Sequence, residues 1–315
     1  MLKRIQISPE RYAQVTMVAL IALILIVLTG SAVRLSASGL GCPDWPKCYG
    51  GYVAPAQINA VIEYGNRVLT GFVGIAVIAA SLLAFFRRPY RWHLALFGGL
   101  LPLGVIGQAV LGAFVVEHHL PPELVIGHFL LSMILIDAAF ALFWCSRYEV
   151  GERRFSTDRL GVWATRCLIP IGQFTIFLGT ITTASGPHPG DHDSELVRRF
   201  DFKGTETLEW IAQRHATMAV LFALSVLAVI FILRRQGGDR RAVKPLTVAF
   251  GLICLQITIG ITQWLLELPA LLVWVHVAVA TLTWVSILWS VAAAGQLEPR
   301  TTAAQPRTAH GSAPG

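Results

Sequence analysis

Charged side chains are scarce in this chain. Asp, Glu, Lys and Arg account for 14% of its 315 residues, whereas soluble globular domains carry about 25%. Together with 55% hydrophobic residues and a mean hydropathy of +0.62, this deficit excludes an ordinary soluble domain. The composition predicts an all-α integral membrane protein that crosses the bilayer several times.

Cysteine is also scarce, and the five residues include one closely spaced pair. Cys42 and Cys48 bracket the sequence PDWPK inside a polar, glycine-rich segment, 34–65. No histidine adjoins the two thiols, which argues against a zinc site. A disulfide is expected if the segment faces an oxidising compartment. Two roles remain open for the pair: a disulfide that stabilises the loop, and a redox pair that passes electrons outward.

A second polar segment, 184–208, lacks a cysteine pair. It contains SGPHPGDHD, in which His188 and His192 suggest a metal site by composition. Glycine and proline in the same stretch favour a tight loop instead. We expect this loop to cover a site in the second half of the chain.

Eight apolar runs are long enough to cross a bilayer, whose hydrocarbon core of about 30 Å needs about 20 helical residues. The runs lie at 13–33, 66–86, 94–116, 123–144, 163–183, 209–233, 245–266 and 270–293. With a cytoplasmic N-terminus, 18 of the 25 Lys and Arg residues fall on the inner face. The positive-inside rule therefore predicts cytoplasmic termini and outer polar segments. It also explains the net charge of +7 without a nucleic-acid partner.

The chain contains an internal repeat, because residues 107–131 superimpose without gaps on residues 255–279. The matched residues are Gln108 with Gln256, Gly112 with Gly260 and His128 with His276. Two four-helix bundles related by a pseudo-twofold axis along the membrane normal are therefore predicted. The predicted division is a cytoplasmic N-terminus at 1–12, an N-terminal half at 13–144 with its outer loop at 34–65, a cytoplasmic linker at 145–162, a C-terminal half at 163–293 and a disordered cytoplasmic tail at 294–315.

Four helices that run in the same direction each carry one polar residue near the same end: Asn66, His128, His215 and His276. Ionisable residues inside a membrane are costly and mark functional sites, and paired histidines on facing helices ligate heme iron. A hydrogen-bonded role in helix packing is the alternative. His215 and His276 form the more complete pair. Asn66 is a poor iron ligand, so an iron held by His128 is expected to be five-coordinate or completed by another group.

Glu63 lies three residues before Asn66 and therefore on the same helical face. A carboxylate beside an apolar cofactor pocket can accept and return protons. The alternatives are a charge at a helix N-terminus and an ion-pair partner of Arg67. Five arginines on the predicted outer side are expected partners of heme propionates: Arg34, Arg67, Arg198, Arg199 and Arg214.

Three motifs together resemble the heme A synthase family: GLGCPDWPKCYG at 39–50, EYGNR at 63–67 and TTASGPHPGD at 182–191. The resemblance covers residues 13–293, and the cysteine loop is its most specific part. It implies eight transmembrane helices in two pseudo-symmetric halves in a bacterial plasma membrane. It also implies oxidation of the C8 methyl group of heme O to a formyl group by successive hydroxylations, which supplies heme A to cytochrome c oxidase.

The resemblance further implies roles for individual residues. His215 and His276 match the axial ligands of a heme b in the C-terminal half. In the N-terminal half, the implied pocket for heme O, His128 matches the second histidine and Glu63 the catalytic carboxylate. Arg67, Cys42 and Cys48 also match family positions. Many members carry histidine where this chain has Asn66, a departure that removes one expected axial ligand of the substrate heme.

The implied partners are heme O, membrane lipid, a heme O synthase, the assembly machinery of cytochrome oxidase and an electron acceptor that the sequence does not identify. An oligomer of identical chains remains open. Two other functions remain open as well. A di-heme electron-transfer or heme-delivery protein needs the histidines but not Glu63 or a redox-active cysteine pair. A transporter is compatible with the duplicated bundle and predicts a protein without bound heme.

Overall fold

The computed structural model describes residues 6–148, 156–191, 197–235 and 240–297. Within these ranges the chain forms eight long α-helices and no β-sheet, which confirms the predicted all-α class. The helices are α1 (Pro9–Leu35), α2 (Ile58–Phe86), α3 (Trp92–Glu117), α4 (Pro122–Arg147), α5 (Arg159–Ser185), α6 (Thr207–Arg235), α7 (Arg240–Leu265) and α8 (Ala270–Ala294). By length and composition all eight can cross a membrane.

Helix α2 begins at Ile58, eight residues before the apolar run that predicted it at 66–86. The additional turns contain Glu63, whose carboxylate pairs with the Arg67 guanidinium at 2.5 Å. This i, i+4 pair stabilises a polar helical stretch that hydropathy alone assigns to a loop. The first polar segment is therefore shorter than expected, because only residues 36–57 lie between α1 and α2.

Helix contacts follow the same pattern in the first four and the last four helices. In each set every helix packs against its neighbours in sequence, and the first helix packs against the fourth. Contacts of α1 with α8, and of α4 with α5 and α8, join the two sets. The division into two bundles with boundaries at 144 and 163 stays a prediction. Residues 149–155 of the predicted linker and 298–315 of the predicted tail lie outside the described residues.

Polar side chains within the helix packing bond to backbone carbonyls of other helices. The Tyr12 hydroxyl donates to Ala80 O of α2 at 3.0 Å, and the Trp274 Nε1–H of α8 donates to Leu28 O of α1 at 2.9 Å. The hydrocarbon interior of a bilayer offers no water to replace such partners. These bonds therefore fix the position of α1 relative to helices of both sets.

The ends of α1, α3, α5 and α7 and the beginnings of the helices that follow them lie together. We call this the loop end of the molecule. Its two long connections touch, since the Gly39 N–H donates to Gly190 O at 2.8 Å. Arg34 strengthens this contact by donating to His188 O and Thr183 O, both at 3.1 Å. The loop end is therefore one continuous layer over both sets of helices.

Candidate functional site

Four helices begin at the loop end and carry a polar side chain at matching positions. Asn66 is the ninth residue of α2 and His215 the ninth of α6, while His128 and His276 are the seventh residues of α4 and α8. At 1.5 Å per residue, each lies within about 12 Å of the start of its helix. The four residues predicted as a set therefore share one depth below the loop end.

His215 and His276 face each other across the second set of helices. Their ring centroids are 6.2 Å apart and their planes cross at 72°. Two imidazoles that bind one metal ion from opposite sides, with bonds of about 2 Å, have centroids about 6 Å apart. His215 Nδ1 lies 3.1 Å from Thr175 O, and a proton on Nδ1 that donates there leaves the Nε2 lone pair for a metal. The pair fits the two axial ligands of a heme iron.

A glycine lies against each of these two rings. A Cβ atom at Gly179 would lie 2.9 Å from His215 Cε1, and one at Gly260 would lie 3.7 Å from His276 Cε1. A larger residue at Gly179 would therefore displace the imidazole. The missing side chains let the neighbouring backbones approach the rings closely.

The first set of helices repeats this arrangement around Asn66 and His128. A Cβ atom at Gly112 would lie 3.5 Å from His128 Cε1, and one at Gly30 would lie 3.9 Å from Asn66 Nδ2. The carboxamide of Asn66 therefore occupies the place that the His215 imidazole has in the second set. The first set therefore offers one imidazole, that of His128, and one carboxamide, that of Asn66, at the same depth.

Matching glutamines position the two histidines that follow the short turns. Gln108 Nε2–H donates to His128 O, and Gln256 Nε2–H donates to His276 O, both at 2.9 Å. Each glutamine bonds to a carbonyl in the second turn of the next helix and so holds α3 on α4 or α7 on α8. The glutamines predicted as repeat partners therefore play the same structural part in both sets.

Several polar atoms of this layer are buried without a hydrogen-bond partner in the described part of the chain. They include Asn66 Oδ1, His128 Nδ1 and His276 Nδ1. An unpaired buried polar atom costs about 1–3 kcal/mol. Unpaired polar atoms concentrated beside the candidate iron ligands indicate a site that holds a bound group, and not protein packing alone.

Glu63 is a buried carboxylate between the disulfide loop and the Asn66 layer. The residue is 5% exposed, and its Oε2 accepts the Cys42 N–H at 2.7 Å. Its Oε1 accepts Arg67 Nη2–H at 2.5 Å. Arg67 also donates to Asp44 O and Lys47 O, both at 2.7 Å. One carboxylate and one guanidinium therefore tie the loop to the first turns of α2.

Cys42 and Cys48 form a disulfide, and both are buried, at 0% and 1% exposure. Between them, Asp44 accepts the Gly50 N–H at 2.9 Å and the Tyr49 N–H at 2.6 Å. These N–H groups, that of Gly50 foremost, hold the pKa of the Asp44 carboxyl below its usual range. The loop is therefore internally braced, and the predicted disulfide is confirmed.

This combination of eight helices, a braced cysteine loop and a repeated polar layer matches a known protein family. The family is described as Cytochrome oxidase assembly protein, COX15-CtaA, and its profile matches residues 13–288. The chain belongs to this family. The match extends through all eight helices, so it covers both sets and not the cysteine loop alone.

Curated members of the COX15-CtaA family that resemble this chain are named heme A synthase. That of Shewanella oneidensis is 28% identical over 298 residues, which cover 80% of this chain and 87% of the relative. That of Exiguobacterium sp. is 24% identical over 248 residues, covering 76% and 79%. That of Lysinibacillus sphaericus is 24% identical over 276 residues, covering 82% and 87%. The family resemblance inferred from the motifs is confirmed.

Four of the five arginines at the loop end of this family member have protein partners in the described part of the chain. Arg34 and Arg67 donate mainly to backbone carbonyls, as described above. Arg198 pairs with Glu123 at 2.7 Å on the surface, and Arg214 stacks on the Trp210 ring at 3.9 Å. Arg214 is exposed and directly precedes His215. A propionate role for these arginines stays a prediction, and Arg214 is the best placed of them.

Asp137 is a half-buried polar residue that sequence reasoning missed. It lies in the middle of α4 and accepts Trp284 Nε1–H of α8 at 2.6 Å and Gln173 Nε2–H of α5 at 2.9 Å. These bonds cross from the first set of helices to the second. An acidic residue in the middle of the apolar run 123–144 was the signal that could have revealed it.

His188 lies in the loop layer, where its Nε2 is 2.7 Å from Leu268 O. This contact supports the expected loop over the second set of helices, whereas His192 lies outside the described residues. Among the described residues, no group of three or more His, Cys, Asp or Glu side chains could hold a metal ion.

Proposed function

We propose that this chain is a heme A synthase, which oxidises the C8 methyl group of heme O to a formyl group by successive hydroxylations. The first set of helices binds heme O beside His128, Asn66, Arg67 and Glu63. The second set holds heme b between His215 and His276. The observation that carries the proposal is the buried Glu63 carboxylate, placed one helical turn from the Asn66 layer and bonded to the Cys42 N–H.

The reaction requires a group that accepts protons beside the methyl carbon. Overall, one methyl group and one water molecule become one formyl group, with release of four protons and four electrons. Two hydroxylations give a geminal diol, which loses one water to form the aldehyde. Each oxidation releases protons inside a membrane, where water is scarce. Glu63 is buried and still has lone pairs beyond those used by Cys42 and Arg67, so it can receive them.

Arg67 and the disulfide loop keep this carboxylate in place. The guanidinium holds one carboxylate oxygen, and the loop backbone holds the other. Because both sulfur-bearing residues are buried, a partner protein cannot reach the disulfide without opening the loop. Burial therefore favours a positioning role for Cys42 and Cys48, in which the disulfide fixes the Cys42 N–H group that donates to Glu63.

The second set of helices supplies the redox cofactor. A heme b bound there would supply one-electron redox chemistry between the substrate and an external electron acceptor. His215 and His276 would hold its iron, and the Thr175 carbonyl orients the His215 ring. Asp137 and Arg34 hold the two sets of helices together.

We further propose that the loop end faces the outside of a bacterial plasma membrane, with both termini in the cytoplasm. The excess of Lys and Arg at the opposite end supports this orientation. A heme O synthase is the natural source of a substrate too apolar to diffuse through water. Cytochrome oxidase, or an assembly factor that serves it, is the destination of the product.

Glu63 variants test this function. Glu63→Gln keeps the size of the side chain and one hydrogen-bond acceptor but removes the proton acceptor. When the variant is co-expressed with a heme O source in cells without another heme A synthase, we expect heme A to fall by at least about 100-fold. The b-type optical spectrum of the purified variant should be unchanged.

Glu117→Gln is the matched control, because Glu117 is an exposed carboxylate at the loop end. It should retain full heme A formation. Normal heme A in the Glu63→Gln variant would remove Glu63 from the mechanism. It would favour a di-heme electron-transfer or heme-delivery protein that needs no such carboxylate.

A further inference from the structure

The two sets of helices differ at one of their four matched positions. Asn66 and His215 are both the ninth residues of their helices, and each lies against a glycine of the preceding helix, Gly30 or Gly179. His128 and His276 match in the same way. One imidazole of the second set is therefore replaced by a carboxamide in the first, with the surrounding backbone retained.

The carboxamide differs from an imidazole in what it offers an iron. It is neutral, has no basic nitrogen and is a poor ligand, but it provides both hydrogen-bond donors and an acceptor. Its Oδ1 is buried without a partner in the described part of the chain. A polar group left unpaired at this depth is suited to a small ligand that arrives with the substrate.

The backbone carbonyls beside the two matched residues also have different partners. In the second set, Thr175 O, four residues before Gly179, accepts from His215 Nδ1 at 3.1 Å. The corresponding carbonyl in the first set is Ile26 O, four residues before Gly30. The hydroxyl of Thr29 donates to Leu25 O at 3.1 Å and to Ile26 O at 3.3 Å.

We propose that this chain binds the iron of its substrate heme through His128 alone and leaves the Asn66 side of that iron open to a small exogenous ligand. The Asn66 carboxamide then forms a hydrogen bond with that ligand: Nδ2–H donates to a ligand that only accepts, such as carbon monoxide, and Oδ1 accepts from a ligand that carries a proton. The inference rests on the proposed function, since it assumes that heme O occupies the first set of helices. A single axial bond also suits a substrate, which must leave as product, whereas two axial bonds suit a resident cofactor.

Carbon monoxide is a suitable probe, because it binds ferrous heme with an open axial position and does not displace two imidazoles readily. The full-length protein is co-expressed with a heme O source and purified in detergent. Its extracted hemes are identified by chromatography, and its reduced spectrum is recorded with and without carbon monoxide. We expect about half of the bound heme, the fraction in the first set, to bind carbon monoxide.

The Asn66→His variant should convert the open iron to a six-coordinate, low-spin form. Carbon monoxide binding should then fall at least about 10-fold, and the high-spin signal in electron paramagnetic resonance should disappear. The Asn66→Ala variant is the matched control, since it also removes the carboxamide but adds no ligand. It should keep carbon monoxide binding, with a C–O stretching frequency higher than that of the unmodified chain because the hydrogen bond is lost.

The outcomes separate this inference from the proposed function. Wild-type protein that contains heme b together with heme O or heme A, but binds no carbon monoxide, would contradict the open iron while leaving the function intact. An unchanged C–O stretch in Asn66→Ala would contradict the hydrogen bond. Protein that carries no heme O or heme A under these conditions would contradict the proposed function and this inference together.

Discussion

The first and second sets of helices share glutamine, glycine and histidine at matching positions, yet they differ in two respects. The second set has two facing imidazoles, whereas the first has His128 and Asn66. The first set also has the braced cysteine loop and the buried Glu63, and Ala212 stands at the matching position of α6. Under the proposed function, these differences suit the second set to a permanent cofactor and the first to a substrate that is transformed.

The largest expected effect comes from removing one histidine in each set. His276→Ala should abolish the low-spin b-type spectrum and lower heme A formation at least about 100-fold, because a ligand to the redox cofactor is lost. His128→Ala should lower heme A formation to a similar extent while the b-type spectrum persists. Optical spectra and heme chromatography of both variants measure this difference.

His118→Ala serves as the control for both substitutions, because His118 is an exposed histidine at the same end. It should leave spectrum and product unchanged. If His128→Ala and His276→Ala gave the same spectrum, the division of labour between the two sets would be wrong.

A smaller effect is expected from the cysteine loop. The double variant Cys42→Ala, Cys48→Ala should reduce heme A formation about 10-fold and destabilise the loop by about 2 kcal/mol, because a short disulfide ring is opened. Glu63 would still be held by Arg67. Activity in cells and thermal unfolding in detergent measure the two effects, with Cys254→Ala, a free exposed cysteine, as control. Loss of product as complete as in Glu63→Gln would contradict the expectation that Arg67 alone still holds Glu63 in place.

The smallest effect on chemistry is expected where the two sets meet. Asp137→Leu removes the acceptor for Trp284 and Gln173, so the free energy of unfolding should fall by about 1–3 kcal/mol. Asp137→Asn should lower the free energy of unfolding by less, because its carbonyl oxygen still accepts one hydrogen bond. Both variants should keep the b-type spectrum. Loss of the b-type spectrum with an unchanged free energy of unfolding would place Asp137 in the cofactor site and not in the contact between the two sets of helices.

Much of this organisation could be predicted from the sequence, because hydropathy reports directly on helices that face lipid. The repeat likewise predicted the shared depth of His215 and His276. The contact between Glu63 and the Cys42 N–H could not be predicted, since it depends on the path of the connection 36–57 between α1 and α2. Asp137 was missed for a similar reason, because its partners lie on helices distant in sequence.

Arg34 illustrates a different limit. Its charge and predicted outer position suggested a heme propionate as partner, which stays a prediction, and the side chain also bonds to Thr183 O of α5 and His188 O of the second connection. Charge and position alone do not distinguish a ligand from a backbone carbonyl. Only the packing of the two connections against each other decides which acceptor is within reach.

Heme A formation in living cells tests the central claim most directly. The unmodified chain is co-expressed with a heme O source in a host without its own heme A synthase, and the extracted hemes are separated by chromatography. The account predicts a formyl-bearing heme with the retention and spectrum of heme A. Accumulation of heme O without heme A, in cells from which the chain purifies with bound heme b, would contradict it.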